Sequence, residues 1–357
     1  MIAFCKITFA INPKDTSNLK LSEIEAIKLN YRLAFNDIQN MLEGKTVLSF
    51  KEAVFKTENA YFNNNISHAI FYRKINEFER FTTNGVLVNN LTNYSQNDSS
   101  NFKLNGLIYN LFRDTLLLIE DTIYKLKLPL NYNFEDFLGK AKWENTFVTK
   151  LLVSNQGTCR SLPYLYKILA DEIGAKCWLS LAPQHIYIKN YSKKLGWYNT
   201  ELTSKEFPTE GWVMASGYIT LKAIQNGIFM DTLSTKQCVA LCLVDLANGY
   251  NRKLNFKEQT FVLNCCNLSL KYFPANINAM LLKAETLKDV YLLNKENEIG
   301  KNTHKEMLEL YLKIYNLGYR EMPEQMYIDW MKSLITQKDK YINKKIVNAL
   351  KNNKARK

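Results

Sequence analysis

The chain has 357 residues, which is long enough for two or three domains with a sizeable hydrophobic core. Its 46% hydrophobic and 23% charged residues are typical of a globular protein, and it has no apolar run of about 20 residues, which argues against an integral membrane protein. The net charge is +13, but residues 338–357 hold eight Lys or Arg against one Asp and so carry +7 of it. The first interpretation of that segment is a solvated, frayed terminus, and the alternative is a tail that binds RNA or a membrane surface.

Residues 1–142 are predicted to be mostly helical. Apolar residues recur at helical spacing in four segments of this region. Ser49 is a candidate N-cap, and Glu52 three residues later suggests a capping box. A polar segment rich in Asn and Ser separates the third and fourth helices and is predicted to be a loop. The predicted helices span residues 20–44, 49–62, 67–81 and 104–126, and the predicted loop spans residues 89–103.

Residues 143–230 change in pattern and are predicted to form an α+β module. A helix that starts near Cys159 is followed by short segments of alternating apolar and polar residues, which indicate antiparallel strands. A helix followed by strands in one compact stretch is typical of the α+β class. The predicted strands span residues 176–182, 185–190, 196–203 and 211–217.

Residues 231–340 are again helical in pattern, with short breaks whose spacing approximates that of helical-hairpin repeats. The stretch CCNLSLKYFPANINAMLLKAETL resembles a tetratricopeptide unit, because it breaks at Pro274 and places Ala279 for close helix packing. A general helical bundle is the alternative. Residues 341–357 form the predicted basic tail.

The seven cysteines do not form a recognisable disulfide or metal-binding pattern. Their number is odd and no pair of C-x-x-C motifs occurs, which argues against a zinc ribbon. Cys238, Cys242, Cys265 and Cys266 are predicted to be buried structural thiols. This usage slightly favours a reducing compartment such as the cytoplasm. Residues 1–17 make a poor signal peptide, and a trimmed secretion signal, with a periplasmic or secreted protein, is the alternative.

The candidate chemistry lies in the segment GTCRSLPYLYKILADEIGAKCWLSLAPQHIYIKN. Pro163 lacks a backbone N–H and fits only the first turn of a helix, so Cys159 is predicted to lie at a helix N-terminus. There the helix dipole and the backbone amides favour a thiolate and can stabilise an oxyanion. His185 opens a predicted strand, where it is suited to accept the thiol proton and return it to a leaving amine. A buried Cys with an incidental His is the structural alternative.

A third group is needed to orient the imidazole, and the next predicted strand offers two candidates. Asn199 and Glu201 are two residues apart and therefore share one strand face. Glu201 would stabilise an imidazolium by its charge, whereas Asn199 would only orient the ring. Ile186 and Ile188 are expected to pack inward, so His185 is expected on the opposite face, toward the helix that follows the nucleophile.

Two weaker site candidates lie nearby, and the motifs that would require a cofactor are missing. Gln156 is a candidate donor to an oxyanion, although a simple loop residue is the first interpretation. Trp197 is a candidate for lining a substrate cleft, as is Trp212, although aromatic residues beside strands belong more often to the core. The sequence contains no HExxH motif, no P-loop and no glycine-rich dinucleotide motif, so no metal and no other cofactor is expected.

Three of these motifs, in this order, resemble the transglutaminase-like superfamily of papain-fold thiol enzymes. GTCRSLPYLYKILADEIG, APQHIYIK and NTELTS are similar to a bacterial branch that shows G-x-C-x-S-x-P, A-P-x-H and N-x-E-x-T. Several members of that branch carry helical repeats after the catalytic module. The resemblance covers about Asn155 to Ser204. It implies that Cys159 is the nucleophile, His185 the general base, and Glu201 or Asn199 the third member.

The resemblance implies a transglutaminase-like core with a helical region on each side, and a function that follows from the thiol. The expected activity is acyl transfer on a peptide or protein substrate through a Cys thioester, with hydrolysis by a peptidase or amidase favoured over crosslinking. The alternative is a catalytically silent scaffold whose helical C-terminal region binds a protein partner. A nucleic-acid partner is disfavoured.

Overall fold

The computed structural model describes residues 20–83, 96–120, 123–254 and 258–351. The protein is of the mixed α+β type and mostly helical, with 63% of the described residues in helices, small sheets and a helical C-terminal region. Cys5 and the predicted features of residues 1–17 lie outside the described residues. The helices are α1 (Leu21–Leu42), α2 (Phe50–Tyr61), α3 (His68–Thr83), α4 (Gln96–Arg113), α5 (Val148–Ser154), α6 (Ser161–Glu172), α7 (Glu210–Ser216), α8 (Leu221–Gln225), α9 (Thr235–Leu254), α10 (Gln259–Tyr272), α11 (Ile277–Leu293), α12 (Glu298–Asn316), α13 (Glu324–Thr336), α14 (Lys338–Tyr341) and α15 (Lys344–Lys351). The strands are β1 (Leu116–Glu120), β2 (Ile123–Lys127), β3 (Asn131–Tyr132), β4 (Gln156–Gly157), β5 (Trp178–Ala182), β6 (His185–Ser192) and β7 (Gly196–Thr200).

The first three helices follow the predicted periodicity. Ser49 caps α2 as predicted, because its side-chain oxygen accepts a hydrogen bond from the backbone N–H of Glu52 at 3.2 Å. The reciprocal half of the capping box is replaced by contacts to α3. The Glu52 carboxylate accepts from the Tyr72 hydroxyl at 2.6 Å and lies 3.1 Å from the His68 ring. Glu52 therefore joins α2 to α3 instead of closing the box.

The helix predicted for residues 104–126 is wrong in its second half, and the loop predicted before it is partly wrong. α4 already begins at Gln96 and ends at Arg113. The chain then forms the antiparallel hairpin β1–β2, in which Leu117 lies opposite Leu126. A continuous apolar run such as LLLI has no period that separates a strand from a helix. Pairing between the two strands decided the conformation here.

Strands β5, β6 and β7 form the antiparallel sheet that carries the candidate site. The strand order is β5-β6-β7, with Ala182 opposite His185 at one end of the sheet. Lys189 lies opposite Asn199 between β6 and β7. Because side chains alternate along a strand, the odd-numbered residues of β6 and β7 share one face and the isoleucines of β6 lie on the other.

The isoleucine face of this sheet is covered by α4 and α6. Burial raises the pKa of Tyr166 on α6, and a hydrogen bond from Asn190 of β6 opposes that rise, which places the two side chains together. Phe102 of α4 packs edge-on against Tyr198 of β7 at 5.9 Å. The expectation that the Cys helix lies on the face of His185 is therefore wrong. The apolar side of α6 pairs with the apolar side of the sheet, which is the larger burial of hydrophobic surface.

The opposite face, which carries His185, is covered by helices that follow the sheet in sequence. Lys189 pairs with Glu210 of α7 at 2.7 Å. The strand predicted for residues 211–217 is wrong, because this segment belongs to α7. Trp212 of α7 stacks obliquely on Tyr341 of α14, with ring centroids 4.4 Å apart, and so belongs to the packing of this face.

The helical C-terminal region leaves its regular succession after α12. Helices α9, α10, α11 and α12 each pack against the next. α13 does not continue this row and instead crosses the face of the sheet that carries His185, with Trp330 5.2 Å from that ring. No helix among the described ranges is long and apolar enough to cross a membrane.

The segment interpreted as a solvated terminus is packed on the protein as far as the structure describes it. Tyr341 and Ile346 are each 1% exposed. The backbone of Asn343 donates to Phe207 O at 2.7 Å. A few apolar residues between the lysines are sufficient to anchor the segment, and this pattern was too sparse to register as a helix period.

Candidate active site

Cys159 lies in a tight turn between β4 and α6. The Thr158 N–H donates to Ser161 Oγ at 2.9 Å, and the Arg160 N–H donates to Thr158 Oγ1 at 3.3 Å. Gly157 is needed because a Cβ at that position would meet Ser161 Oγ at 2.7 Å. The small size of Gly157, not a left-handed backbone, is what the turn requires.

The thiol approaches His185 from the end of the sheet and not from across its face. Cys159 lies two residues before Ser161, the first residue of α6. Its Sγ is 3.7 Å from the carbonyl oxygen of Gln184, the residue before His185. Gln184 has a φ of 56°, the left-handed value that suits the last position of a two-residue turn after Pro183. This turn therefore brings the strand end to the thiol.

His185 and Glu201 form a buried hydrogen-bonded pair. His185 Nε2 donates to Glu201 Oε2 at 2.7 Å, and the Thr203 N–H donates to the other carboxylate oxygen at 2.8 Å. The backbone of Glu201 also pairs with Glu206 in both directions, at 2.8 and 3.0 Å. His185 Nδ1 is buried and has no hydrogen-bond partner among the described residues. Nδ1 is therefore the ring nitrogen left to exchange a proton with the thiol.

Cys159 and His185 shift the pKa of each other in opposite directions. Burial alone would raise the pKa of the Cys159 thiol, but His185, the Tyr327 hydroxyl and Arg160 lower it below its ordinary value. Burial alone would lower the pKa of His185, but Glu201 and Cys159 raise it to about 10. The pKa of Glu201 is lowered, because the imidazolium outweighs burial. Between the pKa values of the thiol and the imidazole, the pair is a thiolate and an imidazolium.

Two tyrosines complete the surroundings of the sulfur, and neither was among the residues predicted for the site. The hydroxyl of Tyr327, on α13, lies 3.5 Å from Cys159 Sγ. Tyr132, on β3, lies beside the sulfur and the Tyr327 hydroxyl, and its strand pairs with β4 next to Cys159. Burial raises the pKa of both phenols well above the ordinary value, so both stay neutral and able to donate hydrogen bonds. Tyr327 is 168 residues from Cys159 and lies in an ordinary amphipathic helix pattern, so no local signal could have revealed it.

A partly buried ion pair holds Arg160, the residue that follows Cys159. Arg160 contacts Asp245 of α9, and the Tyr164 hydroxyl donates to the same carboxylate at 2.9 Å. The Arg160 guanidinium also lies over the ring of Trp143 at 4.8 Å. These contacts keep a positive charge beside the turn of Cys159, where it favours the thiolate.

Asn199 shares the face of His185 but does not contact the ring. Its Nδ2 donates to Pro208 O at 3.2 Å. Lys189, opposite Asn199, lies four residues along β6 from His185. The structure therefore brings together Cys159, His185 and Glu201, and leaves Asn199 outside this group.

Gln156 and Trp197 lie apart from the buried pair. The side chain of Gln156 is exposed on β4, where its backbone bonds to Ser154 Oγ. Trp197 lies opposite Tyr191, six residues along β6 from His185, which corresponds to about 20 Å at strand spacing. It is 47% exposed and packs edge-on against Trp178 at 5.2 Å. Its surroundings are a surface aromatic cluster at the far end of the sheet.

Comparisons with protein-family models, with curated proteins and with solved structures gave no match to this chain. No cluster of three or more His, Cys, Asp or Glu side chains suited to hold a metal ion occurs within the described part of the chain.

Proposed function

We propose that the protein is a transglutaminase-like thiol enzyme that acts on an amide or peptide bond by acyl transfer, with hydrolysis as the favoured outcome. Cys159 is the nucleophile, His185 the general base and acid, and Glu201 the orienting group. One observation carries the proposal. It is a buried imidazole, hydrogen-bonded to a carboxylate and electrostatically coupled to a thiol beside a helix N-terminus.

The reaction proceeds in two halves. The Cys159 thiolate adds to the amide carbonyl carbon, forming a C–S bond and placing the negative charge on the carbonyl oxygen. Collapse of this intermediate breaks the C–N bond, and the His185 imidazolium gives its proton to the departing amine. Water then attacks the thioester, transferring a proton to His185, and the acid product leaves with the thiolate restored. A second amine in place of water would give transamidation.

Glu201 stabilises the protonated state of His185 that the first half requires. Its position follows from the pairing of β6 and β7, and the Thr203 N–H and the backbone bridge to Glu206 hold its carboxylate in place. A carboxylate stabilises the imidazolium by charge as well as by a hydrogen bond, whereas an amide at this position would supply only the bond. This supports Glu201 over Asn199 as the third member.

A second candidate function is a catalytically silent scaffold, and the burial of the site favours it. The Cys159 residue is 9% exposed and His185 is 3% exposed. A thiol kept from solvent by the fold does no chemistry on an external peptide. In that case Cys159, His185 and Glu201 would only fix how the strands and helices pack at this site. The helical C-terminal region would then bind a protein partner.

The test is the pH dependence of alkylation at Cys159, with the modified peptide identified by mass spectrometry. Iodoacetamide reacts with the thiolate, so we expect the rate at Cys159 to rise with pH through a midpoint below that of an ordinary thiol. A small activated ester should also acylate the wild type at this residue and release the acyl group to hydroxylamine. Cys159→Ser is the control for both adducts. A midpoint at or above that of a free cysteine, with no acyl adduct, would leave the scaffold as the function.

A further inference from the structure

We propose that α13 is a lid that closes the thiol site, so that the substrate reaches Cys159 only when this helix has moved off the sheet. The inference rests on the proposed function of Cys159 and adds a means of regulating it. The lid belongs to the same chain as the site, yet it comes from a part of the sequence far from the nucleophile.

α13 presents one apolar side to the site and one charged side to solvent. Tyr327, Trp330, Met331 and Leu334 are all at most 4% exposed. Their spacing of three, one and three residues puts them on a single helix face. The outward side carries the exposed Asp329 and Lys332, together with Met326. The helix therefore lies on the site as a cover with a defined inner surface.

The inner surface of α13 occupies the space that a substrate needs. Tyr327 Oη is 3.5 Å from Cys159 Sγ, and the Trp330 ring is 5.2 Å from the His185 ring. A carbonyl carbon must come within about 3–3.5 Å of the sulfur for attack. The phenol already lies at that distance, and the backbone oxygen of Gln184 lies on the sulfur as well, at 3.7 Å. Substrate and α13 therefore exclude one another.

The connections of α13 allow it to move while the chain on both sides stays in place. Before it, Gly318 is fixed to α8, because its carbonyl oxygen accepts from Thr220 Oγ1 at 2.7 Å. After it, Tyr341 is anchored by the backbone bond from Thr209 at 3.1 Å. Residues 323–326, at the start of the helix, are exposed. The chain is thus fixed before and after the lid, and α13 itself is held by side-chain packing.

Few polar contacts hold the lid closed at the N-terminal end of α13. The Gln184 side chain donates to Met322 O at 3.3 Å, and Lys140 pairs with Glu324 at 2.6 Å. The Glu324 side chain is 57% exposed, and exposed ion pairs contribute little to stability. Opening is therefore governed by the apolar inner face, and the fraction of open molecules sets how fast Cys159 reacts.

The decisive experiment uses the wild-type protein and its own buried cysteines as internal controls. Alkylation is followed residue by residue with mass spectrometry in a series of urea concentrations below the unfolding transition. We expect Cys159 to react through a partial opening that depends weakly on urea. Cys242 and Cys265, which are 0% exposed in helices away from α13, should react only through global unfolding.

A variant of the inner face and a matched variant of the outer face test the lid directly. Trp330→Ala should raise the alkylation rate of Cys159 in native conditions about tenfold or more, while Met326→Ala on the same helix leaves it within about twofold. The rate at Cys242 should stay unchanged in both variants. If Trp330→Ala fails to fold, the urea series on the wild type still decides the question.

The outcomes separate the lid from the proposed function. Joint reaction of Cys159 and Cys242 through global unfolding alone would overturn the lid, and so would a Cys159 that reacts in wild type as fast as in Trp330→Ala. A Cys159 that becomes reactive on opening with the pH midpoint of an ordinary thiol would retain the lid and overturn the enzyme. Fast reaction in wild type with a lowered midpoint would retain the enzyme and overturn the lid.

Discussion

Two opposing effects, burial and the charge of Glu201, act on the pKa of His185. Its ring is 3% exposed, which by itself would disfavour a protonated imidazole. The Glu201 carboxylate at 2.7 Å reverses that preference and raises the pKa of His185 to about 10. The thiol then titrates beside a cation, and its own pKa falls. The reactivity of Cys159 is therefore set two side chains away, by Glu201.

Replacement of Glu201 by Gln should make the thiol less reactive. The amide keeps the shape of the side chain but removes the charge, so the pKa of His185 should fall and that of Cys159 should rise. We expect alkylation of Cys159 at pH 6 to slow by about tenfold or more, because one unit of pKa is a tenfold change in thiolate below the midpoint. Glu206→Gln, the neighbour on the same backbone bridge, is the control. An unchanged pH profile in Glu201→Gln would contradict the role of the carboxylate.

Replacement of Tyr327 by Phe should separate the hydroxyl from the covering of the site. The phenol lies 3.5 Å from the sulfur and donates to the thiolate, whereas the ring fills the space. Tyr327→Phe keeps the ring, so the pH midpoint of alkylation should move up while the urea dependence of reaction at Cys159 stays as in wild type. A net hydrogen bond to a charged group contributes about 1.5–3 kcal/mol, which corresponds to a tenfold or larger loss of thiolate at low pH. A midpoint that does not move would show that the hydroxyl leaves the thiolate unaffected.

At the scale of elements, the buried side chain of Asn276 both caps one helix and joins it to its neighbours. Asn276 caps α11, because its Oδ1 accepts from the Ala279 N–H at 3.3 Å. Its Nδ2 donates to Ser269 Oγ of α10 at 2.9 Å, and that hydroxyl in turn donates to Ala240 O of α9 at 2.7 Å. One side chain therefore connects three consecutive helices where the chain turns between them.

Asn276→Ala should destabilise the protein more than the loss of an exposed cap. Asn297 caps α12 through a 3.0 Å bond to the Gly300 N–H and is exposed. We expect Asn297→Ala to lower the free energy of unfolding by about 1 kcal/mol. Asn276→Ala should lower it by about 2–4 kcal/mol, since it also leaves the buried Ser269 hydroxyl short of a partner. Urea denaturation of both variants measures the difference, and equal losses would contradict the double role.

At the scale of the whole molecule, the site is assembled from segments that are distant in the chain. The turn before α6 provides the Cys159 thiol, which is the proposed nucleophile, and the two strand ends provide the imidazole of His185 and the carboxylate of Glu201. Tyr327 and Trp330 of α13, more than 120 residues later in the chain, contact the sulfur and the imidazole ring. The segment after it, with Tyr341 and Ile346 buried, holds the end of that helix in place. The sequence patterns of residues 143–230, 231–340 and 341–357 predict three separate regions. In the structure, parts of all three pack around one site.

Ile346→Ala tests whether the basic C-terminal segment belongs to the fold. The side chain of Ile346 is 1% exposed, whereas the neighbouring Lys345 is exposed. We expect Ile346→Ala to lower the free energy of unfolding by about 2–4 kcal/mol. Lys345→Ala should change it by no more than about 0.5 kcal/mol. A loss below 0.5 kcal/mol for Ile346→Ala would mean that this segment is dispensable for stability.

Several elements were predictable because their signals are local. The N-cap at Ser49, the helix after Cys159 and the strand that begins at His185 each depend on residues within a few positions. The burial of Cys238, Cys242, Cys265 and Cys266 followed from their apolar helical neighbours and is confirmed. The helix predicted across the hairpin β1–β2 and the strand predicted where α7 lies were wrong. Short apolar runs are compatible with either conformation until a partner strand or a packing surface selects one.

The amino-acid sequence by itself determined the mixed α+β class, the helical regions before and after the core, and the candidates Cys159 and His185 with either Glu201 or Asn199 as the third member. These depend on residue type and on spacing along one or two elements. Only the tertiary structure decided that Glu201 and not Asn199 contacts the imidazole, which face of the sheet α6 covers, and that the Tyr327 hydroxyl lies 3.5 Å from the sulfur. Those contacts join residues far apart in the chain, and their energies depend on strand register and burial, which no local pattern encodes.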